Sequence, residues 1–221
     1  MTRGYGQYCG LARALDLIGG RWAALVVRDL LGGPKRFGEL QEGLHGIPTN
    51  VLTSRLRELE EAGIVERRVR AHPGGGVDYA LTEYGLELEE PLLRLGFWGA
   101  RALGAPEEGD FISVDALALA LRGSFHPEKA RGHQRLYELR IDGKQLRIAV
   151  KDGRASVPAP SPGEPDVMLE TAPEVMRQLL GGALDVDAAI SSGRLRLQGD
   201  RADARRLFEM FRFPAPEDAK V

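Results

Sequence analysis

Hydrogen-bonding side chains recur along the run Ile47 to Ile64. Asn50, Thr53, Ser54 and Arg57 offer an amide, hydroxyls and a guanidinium. In the same run Leu52, Leu56 and Leu59 recur at four- and three-residue spacing. At about 100° per residue that spacing predicts a helix with one apolar face, with Asn50, Ser54, Arg57 and Glu61 opposite it and Thr53 on the flank. The acids Glu58, Glu60 and Glu61 all fall in the C-terminal half. Amides, hydroxyls and guanidiniums pair with base edges, so a helix entering a major groove by its N-terminal half would carry this polarity. Arginines lie close by in sequence: Arg36 before the run, Arg55 within it, then Arg67, Arg68 and Arg70, with His72 two positions on. Guanidiniums in that density suit phosphate contact. A plain amphipathic surface helix followed by an edge strand kept soluble by charge would show the same residues. Other chemistries have less to stand on. His45, His72, His126 and His133 show no metal-ligand spacing with Cys9, and no nucleophile elbow, phosphate loop or paired-acid signature occurs. No enzymatic activity and no cofactor are expected.

The elements that must position these residues are well punctuated. Pro48 and Thr49 suit a helix start, and Gly63 suits a left-handed stop. Upstream, Leu11 to Ile18 predicts a short helix with Leu11, Leu15 and Ile18 on one face. Arg21 to Leu31 predicts a second, with Trp22, Leu25, Val26, Leu30 and Leu31 inward. Arg36 to Leu44 predicts a third, with Phe37, Leu40 and Leu44 inward. A short helix, a turn and a second helix with a polar outer face is the helix-turn-helix arrangement. Downstream, Ile64 to Arg70 and Val77 to Leu81 flank the turn His72-Pro73-Gly74-Gly75-Gly76, a β-hairpin that would form a wing. Alternation places Arg68 and Arg70 with Glu66, and Arg67 with Val65 and Val69. Thr82 would cap a further helix with a weak point at Gly85 and a break or kink at Pro91. Leu92, Leu95, Trp98 and Ala102 form an apolar stripe along Pro91 to Leu103, suited to a partner subunit or a following domain.

The totals frame this reading. A chain of 221 residues suits one large domain or two small ones, and the balance of 43% hydrophobic and 28% charged residues is that of a globular protein. The net charge of −2 supplies no global basic field, so a nucleic-acid site must be a local patch. No stretch reaches the roughly 20 apolar residues of a membrane span. The N-terminus lacks a secretory pattern, and the single cysteine permits no internal disulfide, so a cytoplasmic location without membrane association is expected.

From Cys9 to Gly99 the residues resemble the HxlR branch of the MarR-like winged-helix transcription regulators. The resemblance rests on Cys9, Ile18-Gly19-Gly20-Arg21-Trp22, Arg36-Phe37-Gly38-Glu39-Leu40, the run Leu52 to Glu60 with Gly63, Tyr79-Ala80-Leu81-Thr82 with Gly85, Pro91-Leu92 and Trp98. It implies a homodimer whose two reading helices enter successive major grooves of a palindromic operator on double-stranded DNA, with the terminal helices forming the dimer contact. Asn50, Thr53, Ser54 and Arg57 would then face bases, with Thr49 at the helix start and His72 at the wing tip. Arg36, Arg55, Arg67, Arg68 and Arg70 would meet phosphates. The chain departs from the family in two places. Gly10 follows Cys9 where Cys-Pro is usual, and Pro48 stands where a capping serine is usual. Some members sense quinones or oxidants through the cysteine, so Cys9 is a redox candidate, although a small buried filler is the plainer role for it.

The segment Ala105 to Asp110 reads as a linker, dividing the chain into residues 1–104 and 105–221. Beyond it, Val114 to Leu121 predicts a helix. Strands are expected over Leu136 to Ile141, Leu146 to Val150, Ala155 to Ala159, Val167 to Thr171 and Leu195 to Gly199. Helices are expected over Pro173 to Leu180, over Val186 to Ile190 and from Asp200, an α+β layer behind a winged helix-turn-helix. His126 and His133 would lie in a solvated loop. The series Asp166-Val167, Pro173 to Leu180, Gly182, Ser192 to Asp200 and Leu207-Phe208 resembles the sterol-carrier-protein-like domain. That resemblance implies an apolar tunnel for lipids or other hydrophobic small molecules. Met168, Met176, Leu179, Leu180, Phe208 and Phe211 are candidates for its lining, although for any one of them a place in a filled core is the plainer role. A DNA-binding transcription regulator, repressor-like, whose appended domain binds a hydrophobic effector or strengthens the dimer, follows. The alternative is a lipid-binding carrier whose winged helix is a protein-interaction module.

Overall fold

The structure is a computed structural model and describes residues 4–69, 76–102, 111, 113–158 and 163–213. The chain divides into two compact units, Met1–Arg94 and Leu95–Val221. The expected linker over 105–110 lies outside the described residues, as does Leu103.

In the first unit the helices are α1 (Gly10–Ile18), α2 (Ala23–Leu30), α3 (Phe37–Gly43) and α4 (Thr49–Glu61). Strands β1 (Lys35–Arg36), β2 (Val65–Val69) and β3 (Val77–Leu81) form a sheet in the order β1-β3-β2, with both pairs antiparallel. The β2–β3 pair is the expected hairpin. Its register sets Arg67 against Tyr79 and Val69 against Val77. Val26, Val27, Leu40, Leu52, Leu56 and Leu59 are buried. The leucine stripe of α4 is therefore packed along its whole length. Gly63 ends that helix at φ 70°, a left-handed angle that glycine adopts without cost.

Several expectations change here. Trp22 lies outside α2 as its N-cap, at φ 79°, and Leu25 is exposed, while Ala23 and Val27 take the inward positions. The break after Thr82 comes at Glu87–Leu88, between α5 (Glu83–Leu86) and α6 (Glu89–Ala100). Pro91 sits in the first turn of α6, where its missing N–H has no helical acceptor to lose. Gly85 is no weak point. It is buried against the first unit's core, and a Cβ there would collide with the carbonyl oxygen of Ile64. The Thr82 hydroxyl caps α5 by accepting from the Gly85 N–H at 3.0 Å.

The second unit is a two-layer α+β arrangement. Its helices are α7 (Val114–Gly123), α8 (Pro173–Gly181), α9 (Val186–Ser191) and α10 (Arg201–Met210). Strands β4 (Gln134–Ile141), β5 (Lys144–Lys151), β6 (Arg154–Ser156), β7 (Val167–Thr171) and β8 (Leu195–Gln198) form a sheet in the order β6-β5-β4-β7-β8. Only the β4–β7 pair is parallel. Tyr137, Leu139, Ile148 and Leu169 on one sheet face share a core with Leu179 of α8 and Leu207 of α10. A single 3-10 turn, Pro127–Ala130, precedes β4. It helps enclose His133, which is buried rather than solvated. His133 Nε2 lies 2.6 Å from the Tyr137 hydroxyl, which donates to the Asp203 carbonyl at 3.2 Å. Burial pushes the His133 imidazolium to a lower pKa and the Tyr137 phenol to a higher one.

Candidate nucleic-acid interface

The outer face of α4 is exposed where the sequence requires it. Thr49, Asn50, Thr53, Ser54 and Arg57 are all exposed, the Arg57 side chain to 79%. Pro48 is the N-cap and supplies no side-chain cap. The Thr49 hydroxyl instead accepts from Gln41 Nε2 of α3 at 2.7 Å, tying the two helices at the turn. Thr53, Ser54 and Arg57 bond along α4 itself. Thr53 Oγ1 donates to the Thr49 carbonyl at 2.8 Å, Ser54 Oγ to Glu58 Oε1 at 2.9 Å, and Arg57 Nε to Glu61 Oε1 at 2.9 Å. Arg55 pairs with Glu58 as well. Exposed intrahelical pairs of this kind are worth about 0.3–0.5 kcal/mol, so a ligand offering better partners displaces them readily.

The other candidates fall around this helix. Arg36 is exposed in β1, its backbone N–H donating to Glu39 Oε2 at 2.6 Å at the start of α3. On the hairpin, Arg67 lies over the Tyr79 ring at 6.0 Å, and Arg68 pairs with Glu66 at 2.6 Å, the facing that alternation required. Arg70 and His72 lie outside the described residues. Cys9 is a free, exposed thiol immediately before α1.

Sequence reasoning missed one feature. Beside the N-terminal half of α4 is an open cavity of about 440 Å³ lined by Arg21, Trp22, Gly46, Pro48, Val51 and Arg55. The signal was the Gly19-Gly20-Arg21-Trp22 string, in which Trp22 was assigned to the core instead.

Of the apolar-ligand candidates, Met176, Leu179, Leu180, Phe208 and Phe211 are brought together, all buried in one cluster. Met168 is separated from them. Strand alternation puts Val167, Leu169 and Thr171 on the core face of β7 and turns Met168 to the opposite face, where it pairs in register with Glu138. Glu138 is itself buried there, held by Arg140 at 2.8 Å and Arg147 at 3.2 Å. Among the described residues no group of three or more His, Cys, Asp and Glu could hold a metal, and no helix is long and apolar enough to cross a membrane.

Comparison with known proteins locates both units. Residues 17–107 match the HxlR-like helix-turn-helix family, and residues 119–212 match the SCP-2 sterol transfer family. The HTH-type transcriptional regulator YdeP of Bacillus subtilis (strain 168) is 38% identical over 93 residues, 42% of this chain and 73% of that protein. YybR of the same organism, also named an HTH-type transcriptional regulator, is 40% identical over 91 residues, 41% of this chain and 73% of that one. Among solved structures, the redox regulator HypR in its oxidized form is 39% identical, with a TM-score of 0.40, covering 42% of this chain and 95% of that one. The chain belongs to the HxlR-like helix-turn-helix family, with an SCP-2-type unit following its winged helix.

Proposed function

We propose that this chain, a DNA-binding regulator of transcription, reads its operator with the N-terminal half of α4 and does so as a two-fold pair. The observation that carries the reading is the exposed, acid-free row Asn50, Thr53, Ser54 and Arg57, held on a helix whose Leu52, Leu56 and Leu59 are wholly packed. A helix fixed by its inner face presents its outer face without further ordering cost. Arg36, Arg55, Arg67, Arg68 and, beyond the described residues, Arg70 and His72 are assigned to the phosphates that set register. Pairing of subunits is supported in the first unit by the exposed apolar side chains Leu11 and Leu15 of α1, Leu11 being 69% exposed. A two-fold pair of such subunits would need its two copies of α4 on half-sites about one helical turn, roughly 34–36 Å, apart.

The second unit is assigned the sensing role in the same reading. The reading rests on the SCP-2 match; Met176, Leu179, Leu180, Phe208 and Phe211 are packed as one core, so a hydrophobic small molecule would have to displace those contacts to be desolvated there. The regulator acts on DNA in the cytoplasm. Genome-wide footprinting with the purified full-length protein, repeated with hydrophobic metabolites, tests both parts. Protected palindromic sites support the operator reading, and their absence removes it. Release of those sites by one compound supports sensing, and unchanged protection with every compound removes the sensing role.

A further inference from the structure

The Gly19-Gly20-Arg21-Trp22 string builds the cavity beside α4, and each residue has a separate task. A Cβ on Gly19 would crowd the Leu15 carbonyl oxygen at the end of α1. A Cβ on Gly20 would lie 2.8 Å from Arg55 Nη1, so glycine leaves room for that guanidinium. Trp22 turns at a left-handed φ of 79°, a conformation unfavourable for an aromatic residue and one that sets its indole on the cavity wall. Arg21 lies over that indole at 5.6 Å, exposed and with no carboxylate partner among the described residues. Arg55, which also lines the cavity, has its Nε buried without a hydrogen-bond partner, while Glu58 holds its Nη1. Two arginines therefore line one open cavity, none of whose lining residues is acidic.

Its position decides the occupant. Pro48, Val51 and Arg55 lie on one flank of α4, between its buried leucines and its outward row. A helix about 10–12 Å across nearly fills a major groove about 12 Å wide, so its flanks meet the sugar-phosphate walls, not the bases. We infer that this cavity is a phosphate site, closed by Arg21 and Arg55 around one backbone phosphate of the operator strand bordering the groove that α4 enters. The inference rests on the DNA-binding reading above and adds Arg21, with Trp22 and Gly20 as positioning residues. Trp22 holds the Arg21 guanidinium by cation–π contact, and Gly20 admits that of Arg55.

The test uses full-length protein and the duplex it recovers by selection from a random-sequence pool, with affinity measured over a NaCl series. Arg21→Ala lowers the salt slope by about 0.9 per bound subunit, the share of one phosphate, and leaves the selected base preferences unchanged. Gly20→Ala, which pushes on the flexible end of Arg55, lowers the slope in the same direction. Slopes equal to wild type in both variants overturn the inference while leaving the regulator reading intact. Inorganic phosphate titrated into DNA-free protein separates the other source of the same chemistry. Saturable binding that Arg21→Ala abolishes, with unchanged salt slopes, gives the cavity to a free phosphorylated ligand and overturns the operator assignment. If wild type recovers no duplex, the DNA-binding reading itself has failed.

Discussion

Helices α4 and α10 are built alike on their inner faces and differently on their outer ones. Each buries a regular apolar row, Leu52, Leu56 and Leu59 in α4 and Ala204, Leu207 and Phe208 in α10. The polar side chains of α10 reach other elements of their own unit. Arg205 pairs with Asp187 at 2.6 Å and Asp203 with Arg135 at 2.7 Å, while Arg206 donates to the carbonyls of Lys129 and Arg131. On α4 Thr49 reaches α3 through Gln41, but Ser54 and Arg57 turn back on their own helix, to Glu58 and Glu61. A polar face tied across the fold serves to hold that fold. One tied only to its own neighbours gives up little stability when it exchanges partners. That difference, more than amphipathicity, separates a surface available for binding from one already used.

The likeness of the inner faces sets the largest expected effects. Leu56→Ala and Phe208→Ala should each lower unfolding free energy in urea, by about 2–5 and about 3–5 kcal/mol respectively. A cost below about 1 kcal/mol for either would break the claim that the two rows are equally packed. The outer faces should then diverge. Arg57→Ala should cost about 1–3 kcal/mol of operator binding in a direct affinity measurement and leave the urea midpoint unchanged. Arg205→Ala should leave operator binding unchanged and lower stability only slightly, since its ion pair is exposed and screened. Glu61→Gln frees Arg57 and removes an acid beside the reading row, so DNA binding should tighten by a small factor, read in the same assay.

The smallest effect concerns pH and the second unit alone. Burial holds the His133 pKa below its ordinary 6.5, so the unfolded chain binds its proton at higher pH than the folded one. The neutral form's contribution is complete above that unfolded value and is lost as pH falls from it towards the folded value. Urea unfolding at about pH 7.5 and about pH 5.5 should show a loss on acidification that His133→Gln reduces. An unchanged loss in that variant assigns the effect to other groups.

What could be read from the sequence was what neighbours along the chain decide. The leucine row of α4, its Pro48 start and its Gly63 stop are local signals, and each falls where periodicity placed it. Hairpin alternation placed Arg68 with Glu66 for the same reason. Distant contacts decided the rest. His133 follows a proline-bearing turn and reads as solvated, but Tyr137 of β4 and the Asp203 carbonyl of α10 surround it with core. Gly85 reads as a weak helix former because helix propensity carries no information about Ile64 lying against it. Trp22 was assigned inward by hydrophobicity, whereas its left-handed backbone opens it to the cavity. Met168 is legible locally, since the Val167, Leu169 and Thr171 alternation places it on the other face of β7.

The claim on which the account depends is that outward side chains of α4 touch bases. The most direct measurement is the base-preference profile from selection on a random duplex pool, run for wild type and for Arg57→Ala. The account predicts a palindromic wild-type profile, with preference lost in the variant at one position of each half-site and retained elsewhere. Identical profiles for the two proteins would contradict it.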